Sequence, residues 1–271
     1  MKKVFAGTVE RQGRAMSSKF INQERIIAQL GYLQKEIEKG ANFNILLRAP
    51  YGYGKTTLAL SFLEGKDYIM YPVGERDFFT NKRFHFFDEA HTLKNFEFLY
   101  YFMDSRKYTI ILATNLSGSL PEPVINRCIN LIFEDYSPHH IEEILKSSLE
   151  ITLKDELINF LSYKCRNNPR IAKMIAKKLS IICNYAGIPQ TIGELERYLN
   201  RIGIYKYGLN ELDLKYLEFL QEVKVSSLER LQRGTGLDKN TIINEIEPYL
   251  VKKDFIRISS RGREFTGKIL I

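Results

Sequence analysis

The chain has 271 residues, a length sufficient for two or three globular domains with a sizeable core. Hydrophobic residues make up 44% of it and charged residues 27%, as is typical of globular proteins. It contains no run of about 18 apolar residues, no signal-like apolar stretch near its first residue and only three scattered cysteines, so we expect a cytoplasmic protein that does not enter a membrane. The formal net charge of +8 favours a polyanionic partner such as nucleic acid.

Short apolar stretches alternate with helical patterns over the first half of the chain. After a polar, basic arm over residues 1–18, apolar residues recur at helical spacing over 21–37. A buried-strand pattern at 43–47 then runs through a glycine-rich turn into a helical pattern at 57–63. Further elements are predicted as strands at 68–73, 84–87, 108–113 and 129–133 and a helix at 96–103. This alternation predicts an α/β fold with a parallel sheet covered on both faces.

The pattern becomes wholly helical after residue 137 and changes again near the end of the sequence. Helices are predicted at 141–149, 157–163, 170–183 and 192–202. A linker at 203–208 leads to three short helical stretches, a strand at 255–258, a turn at 261–263 and another short strand. That order predicts a winged helix-turn-helix.

The glycine-rich turn resembles a phosphate-binding loop in its residues and in its setting. Its residues fit the pattern G-x-x-x-x-G-K-[ST] except that Ala49 replaces the first glycine. Gly52 and Gly54 let backbone N–H groups face a phosphate, Lys55 can reach the β- and γ-phosphates, and the Thr56 hydroxyl can bind Mg²⁺. The further loop residues predicted to bind ATP are Pro50, Tyr53 and Thr57. The alternative, a glycine turn with a chance Lys-Thr pair, is disfavoured by the strand and helix on either side.

Polar residues follow two of the predicted strands. Asp88 and Glu89 end the strand at 84–87, where Asp88 can hold Mg²⁺ and Glu89 can polarise the attacking water. The alternative for these two residues is that they only cap the helix that follows the strand. Asn115 follows the strand at 108–113 and can orient the same water, unless it is a plain turn residue.

Several segments resemble the RuvB family of Holliday-junction branch-migration motors, which are AAA+ ATPases. They are Phe20–Glu24, Phe86–Leu93, Asn168–Ala172, Gly208–Asp213, Glu247–Leu250 and Arg261–Arg263, in the family's order and spacing. The resemblance covers roughly residues 19–271, and its C-terminal segments are more specific than the ATPase motifs.

The resemblance implies roles for residues that the spacing alone leaves open. Arg170 matches the lid arginine that senses the γ-phosphate, and Asn115 lies at or next to the strand-end sensor. Arg127 matches the arginine that reaches the ATP of a neighbouring subunit in AAA+ rings, and Asn126-Arg127-Cys128 also looks like the Ser-Arg-Cys motif of clamp loaders. The residues implied beside the adenine are Phe20, Ile21 and Tyr136.

The sequence also departs from the family pattern. About a dozen residues separate the second strand from the Asp88 strand, too few for the family's helix and DNA-facing loop. Residues 103–108 pass directly into the sensor strand, so the hairpin that docks the partner RuvA in the family is missing there. Ile125 stands where the family has the first arginine of an arginine pair.

The last predicted strands carry basic residues. A wing turn with arginines on both sides of Gly262 can lay guanidinium groups along a DNA phosphate backbone. The residues predicted to bind DNA are Arg257, Arg261 and Arg263. The alternative is a solvated basic edge strand that protects the sheet from aggregation.

Together these features predict three domains: a P-loop AAA+ ATPase domain with its arm (1–135), a helical lid (136–205) and a winged-helix DNA-binding domain (206–271). The leading hypothesis is an ATP- and Mg²⁺-dependent motor that moves on or remodels DNA in recombination or replication. We expect it to assemble with itself into a ring, spiral or filament. The alternatives are a loader that places another replication or recombination protein on DNA, and an ATP-dependent DNA-binding scaffold.

Overall fold

The computed structural model describes residues 20–71, 81–115 and 120–268. The chain forms two compact units. The first comprises the described residues up to Glu143 together with Asn168–Arg170, and the second comprises Ile144–Asn167 and the described residues from Ile171 onward. The boundaries predicted at 135/136 and 205/206 stay predictions.

A five-stranded parallel sheet forms the centre of the first unit. Its strands are β1 (Asn44–Arg48), β2 (Tyr68–Tyr71), β3 (Phe84–Phe87), β4 (Thr109–Thr114) and β5 (Ile129–Ile132), in the spatial order β2-β3-β4-β1-β5. The side chains of β3 and β4 are buried throughout, which explains why these strands are continuous apolar runs rather than alternating patterns. Because the strands are parallel, the loops that follow β1, β3 and β4 all leave the sheet at the same edge.

Helices precede, connect and follow these strands. They are α1 (Glu24–Glu38), α2 (Lys55–Leu63), α3 (Glu97–Asp104), α4 (Glu122–Asn126) and α5 (Pro138–Ser148), and a 3-10 turn spans Ala90–Thr92. The predicted α/β architecture with a parallel sheet is confirmed. The short passage predicted before the sensor strand is also confirmed, because residues 105–108 alone separate α3 from β4. The arm at 1–18 and the end of the strand predicted at 68–73 lie outside the described residues.

The second unit begins with helices and ends in a small sheet. Its first helices are α6 (Asp155–Lys164), α7 (Pro169–Ala186), whose first turn lies in the first unit, and α8 (Ile192–Arg201). Leucine and isoleucine side chains at helical spacing, such as Leu157, Leu161 and Ile175, are almost fully buried. None of the described helices is long and apolar enough to cross a lipid bilayer.

The predicted winged helix follows. Its elements are α9 (Glu211–Val223), β6 (Val225–Ser226), α10 (Leu228–Thr235), α11 (Lys239–Thr241), a π-helical turn (Ile242–Ile246), α12 (Glu247–Lys252), β7 (Ile256–Ser259) and β8 (Gly262–Phe265). The three strands form an antiparallel sheet in the order β6-β8-β7. Gly262 has a φ of 122°, and a Cβ there would lie 2.4 Å from the Ser226 carbonyl oxygen, so the turn of the wing requires glycine. Strand β6 was not predicted, because two residues are too few to show a period.

Candidate ATP-binding site and wing

The loop between β1 and α2 has the geometry of an anion-binding site. Gly52 has a φ of 86°, and a Cβ on it would lie 2.5 Å from Oδ1 of Asn168 and 2.9 Å from Cβ of Arg170. The loop can therefore approach these residues only because it lacks a side chain there. Gly54 precedes α2, and no described side chain caps the first N–H groups of this helix. Those donors, at the positive end of the helix dipole, remain available to a phosphate.

Lys55 is held inside this loop. Its Nζ donates hydrogen bonds to the carbonyl oxygens of Ala49 (2.9 Å) and Pro50 (3.2 Å), and the residue is 5% exposed. Burial lowers the pKa of Lys55 from its usual value, while the charges of Glu89 and Asp88 act in the opposite direction. An ammonium group has three N–H donors, so at least one can reach a phosphate while the loop carbonyls keep the side chain in place.

Thr56 and Asp88 meet across the sheet edge. The Thr56 hydroxyl donates a hydrogen bond of 2.7 Å to Oδ2 of Asp88, although the two residues are 32 positions apart. A hydroxyl and a carboxylate are oxygen ligands of the type that Mg²⁺ prefers, so the residues present fit this ion. In the described part of the chain, no group of three or more His, Cys, Asp or Glu side chains could hold a metal. Mg²⁺ would therefore take its other ligands from ATP and water, as is usual for nucleotide-bound magnesium.

Glu89 adopts an unusual backbone conformation. Its φ of 48° and ψ of 48° lie in the left-handed region, which costs a residue other than glycine about 1–3 kcal/mol. The N–H and hydroxyl of Thr92 both donate to the Glu89 carbonyl, at 2.9 and 2.8 Å, and stabilise this turn. The Glu89 side chain is 29% exposed, and its Oε2 lies 3.4 Å from Nδ1 of His91. The carboxylate is thus accessible to water and constrained on one side.

Asn115 lies directly after β4. Its Oδ1 atom is buried and has no hydrogen-bond partner within the described residues. Leaving a buried amide oxygen unpaired costs about 1–3 kcal/mol, which favours a position that binds a ligand or an ordered water. This observation supports a sensor role over a plain turn residue.

The residues predicted beside the adenine lie close together in the first unit. A Cβ on Gly54 would lie 3.6 Å from the ring of Phe20, so Phe20 packs against the phosphate-binding loop. The rings of Tyr53 and Tyr136 form an edge-to-face pair with centroids 5.2 Å apart. The Tyr53 hydroxyl donates to Asp135, and burial is the main cause that raises the pKa of Tyr53. These aromatic surfaces can flank a purine base.

The segment around Phe20 is tied to the strand end by Gln23, which sequence reasoning did not select. Its fully buried amide donates to the Glu134 carbonyl (3.0 Å) and accepts from the Glu134 N–H (3.1 Å). Ile21 is half-buried in the same segment. A glutamine gives no sequence signal of this kind, because its partner is 111 residues away.

Arg170 reaches the same loop. The Asn168 amide donates to the Tyr51 carbonyl (2.8 Å), and the Asn168 Oδ1 accepts from the Arg170 N–H (3.0 Å). The Arg170 guanidinium lies 4.5 Å from the centroid of the exposed Tyr51 ring. Arg170 is therefore exposed beside the phosphate-binding loop, and its role as the arginine that senses the γ-phosphate stays a prediction.

The other residues of the loop that are predicted to bind ATP, Pro50 and Thr57, are exposed.

Arg127 is paired with residues of its own chain. The Arg127 guanidinium binds both carboxylate oxygens of Asp104, at 2.9 and 3.1 Å, and also donates to the Pro123 carbonyl. This pairing lowers the pKa of Asp104 and raises that of Arg127. Both side chains are solvent-exposed, so Arg127 can exchange this partner for another anion at low cost.

One of the three arginines predicted to bind DNA is already paired within the winged helix. The Arg263 guanidinium binds Glu247 through two hydrogen bonds, of 2.7 and 3.2 Å, and the Glu247 side chain is only 5% exposed. The buried Tyr216 hydroxyl donates to the same carboxylate. Arg263 is therefore committed to a contact inside the winged helix, and a DNA phosphate would have to compete with Glu247 for it. By contrast, Arg257 and Arg261 are exposed, and Arg257 has an exposed ion pair with Asp254 at 3.6 Å.

A glycine-rich loop that leads from β1 into α2, an acidic loop after β3, a polar residue after β4 and the strand order β2-β3-β4-β1-β5 are together typical of the AAA+ class. Residues 206–270 match the family described as the RuvB C-terminal winged helix domain. The chain is a RuvB-like AAA+ protein, as the resemblance in its sequence predicted.

The similarity to RuvB proteins extends over most of the chain. The RuvB of Mesomycoplasma hyopneumoniae (strain 7448) is 28% identical over 295 residues, covering 92% of each chain, and it is named a Holliday junction branch migration complex subunit. The protein of the same name from Ehrlichia canis (strain Jake) is 26% identical and covers 93% of this chain and 88% of its own length. A solved structure of Thermotoga maritima RuvB superposes with a TM-score of 0.81 at 25% identity, covering 92% of this chain and 94% of that one.

Proposed function

We propose that this protein is an oligomeric cytoplasmic ATPase that uses ATP to move four-way or related branched DNA in recombination. The observation that carries the proposal is the 2.7 Å hydrogen bond between Thr56 and Asp88, which joins the phosphate-binding loop to the acidic loop. The similarity to branch migration subunits supports DNA junctions as the substrate.

In this proposal each polar residue of the site acts on ATP or on the attacking water. Lys55 and the N–H groups of the loop bind the β- and γ-phosphates, and Thr56 with Asp88 holds Mg²⁺. When bound, the ion neutralises charge that develops on the phosphate oxygens. Glu89 accepts a proton from the water that attacks the γ-phosphate, and Asn115 orients that water. Arg170 stabilises the charge of the transferring phosphoryl group.

The site is tested by combining hydrolysis with DNA movement. Wild-type protein should hydrolyse ATP faster in the presence of a synthetic four-way junction than with duplex DNA, and should convert the junction into two duplexes when ATP is present. Glu89→Gln preserves the shape of the side chain but cannot take a proton from the attacking water. The variant should therefore bind ATP and the junction without converting the junction into duplexes. If junction DNA stimulates ATP hydrolysis but the strands do not move, the result would favour the loader hypothesis instead. Junction binding that needs ATP but not hydrolysis would favour the scaffold.

Arg127 is expected to act on the ATP of a neighbouring subunit. The expectation rests on its match to the family's interface arginine and on its exposed, exchangeable pairing with Asp104. Arg127→Ala subunits titrated into wild-type protein should therefore lower ATP hydrolysis more steeply than dilution does, because each variant subunit leaves a wild-type site without its arginine. The matched control is Arg106→Ala, which removes an exposed arginine two residues after Asp104. Its subunits should leave the total rate of ATP hydrolysis unaffected by the mixing. A linear fall with Arg127→Ala would contradict the assignment.

Arg257 and Arg261 are expected to bind DNA phosphates. The double variant Arg257→Ala/Arg261→Ala should lower DNA affinity on unrelated sequences alike, because phosphate contacts carry no base information. Each lost contact should make the slope of log affinity against log salt shallower by about 0.9 on duplex DNA, so the pair should remove about two units. Filter binding over a salt series measures this slope. Basal ATP hydrolysis should not change.

Arg263→Ala serves as the control that distinguishes a loss of DNA contacts from a loss of stability of the winged helix. Arg263→Ala breaks the largely buried pair with Glu247 and should lower the free energy of unfolding, whereas replacing the exposed Arg257 and Arg261 should not change it. Equal salt slopes for wild type and the Arg257/Arg261 double variant would show that DNA binds elsewhere, and the basic face of α7 with Lys173, Lys177 and Lys178 would be the next candidate.

A further inference from the structure

His91 lies between the acidic loop and the end of β4. Its Nδ1 atom is 3.4 Å from Oε2 of Glu89 and 3.1 Å from Oγ1 of Thr114. The His91 side chain is 17% exposed, and Thr114 is fully buried as the last residue of the strand. Both oxygens therefore lie beside the same ring nitrogen, and the buried Thr114 hydroxyl fixes where that nitrogen stands relative to the candidate base.

We propose that His91 is the positioning residue of Glu89, an inference that rests on the proposed function of Glu89 as general base. Glutamate is among the side chains with the greatest rotamer freedom, and a carboxylate that turns away from the water cannot take its proton. With its proton on Nδ1, the ring can share that hydrogen between Oγ1 of Thr114 and Oε2 of Glu89, which restrains Oε2 and leaves Oε1 to accept the proton. The Thr114 hydroxyl, which is fully buried at the end of β4, fixes the position of that nitrogen.

The contact also links the base to the sensor strand. Thr114 directly precedes Asn115, whose Oδ1 is buried without a partner among the described residues. The 3-10 turn that carries His91 begins at the left-handed Glu89, so the backbone places the ring two residues beyond the carboxylate it contacts. A shift at the end of β4 would therefore move the ring and, with it, the base.

Two substitutions distinguish a positioning donor from a packing role. The amide nitrogen of asparagine can occupy about the place of Nδ1, whereas that of glutamine lies one methylene further from the backbone. His91→Asn should keep kcat for ATP within about threefold of wild type. His91→Gln should lower kcat by about 10- to 100-fold with KM little changed, since misplacing a base by about 1 Å costs rate rather than binding. Both variants retain a polar group for Thr114, so circular dichroism should show an unchanged fold.

A combination with Glu89→Gln tests whether the two residues act as a unit. In single-turnover measurements, adding His91→Gln to Glu89→Gln should lower the residual rate by less than about twofold, because the base it positions is already gone. Full activity of His91→Gln, failure of His91→Asn to retain activity, or additive losses in the double variant would each overturn the positioning role while leaving the proposed function intact. Unchanged hydrolysis in Glu89→Gln alone would overturn the base assignment and the positioning role together.

Discussion

Replacement of Lys55 by alanine is expected to lower ATP hydrolysis by at least about 100-fold, the usual effect of removing a group that stabilises developing charge. The Lys55 ammonium is 5% exposed and held between the Ala49 and Pro50 carbonyls at the start of α2. No other described lysine lies in this loop, so no neighbouring side chain can take its place. A coupled phosphate-release assay at saturating ATP measures the loss, and binding of a fluorescent ATP analogue shows whether affinity falls with it.

The chain offers a matched control for this variant just beyond the other end of α2. Lys66 is also partly buried, and its ammonium donates to the Phe62 carbonyl beyond the phosphate-binding loop. Burial lowers the pKa of both lysines. Lys66→Ala removes a similar group three residues beyond the end of this helix without touching the site, and the variant should hydrolyse ATP at the wild-type rate. Wild-type turnover in Lys55→Ala would rule out this loop as the ATP site.

The parts of the ATP site that are contiguous in the chain could be predicted from the sequence. Strand, glycine turn and helix follow one another within twenty residues, and each leaves its own periodic signal. The contact between Thr56 and Asp88 could also be predicted, because parallel strands of one sheet bring their carboxyl ends to one edge. The spatial order of the strands was not predicted, because nothing in a single sequence specifies which strands pair.

Pairings between distant residues that belong to no recognised motif could not be predicted. His91 and Thr114 are 23 positions apart, and each alone reads as an ordinary polar residue in a loop or strand. The arginines of the wing show the same limit. Arg261 and Arg263 are equivalent in a charge pattern, and they differ only because β8 places Arg263 against the nearly buried Glu247. Charge clusters in a sequence therefore identify a basic surface but not which of its members are already paired.

A buried ion pair joins the helical part of the second unit to its winged helix. Arg166 lies in the turn after α6 and binds Asp213 in the first turn of α9, with the two side chains 10% and 0% exposed. The Arg166 Nε also donates to the Gly208 carbonyl (2.8 Å), and its guanidinium lies 4.2 Å from the centroid of the Tyr249 ring. Burial raises the pKa of Asp213, and Arg166 counteracts this shift. The carboxylate depends on Arg166 for its charge partner.

Arg166→Met is therefore expected to lower the free energy of unfolding by about 3–5 kcal/mol, because it keeps the aliphatic volume but leaves a buried carboxylate unpaired. The chain has no tryptophan, so urea unfolding is best followed by far-ultraviolet circular dichroism. Hydrogen exchange of the α9 amides should rise at the same time, whereas Arg230→Met, at an exposed arginine of α10, should change neither. Adding Asp213→Asn to Arg166→Met should recover part of the loss, since it removes the unpaired charge while an amide can still cap the helix. If Arg166→Met were as stable as wild type, or if the double variant were less stable by the sum of both changes, the pair would not be what joins the winged helix to α6.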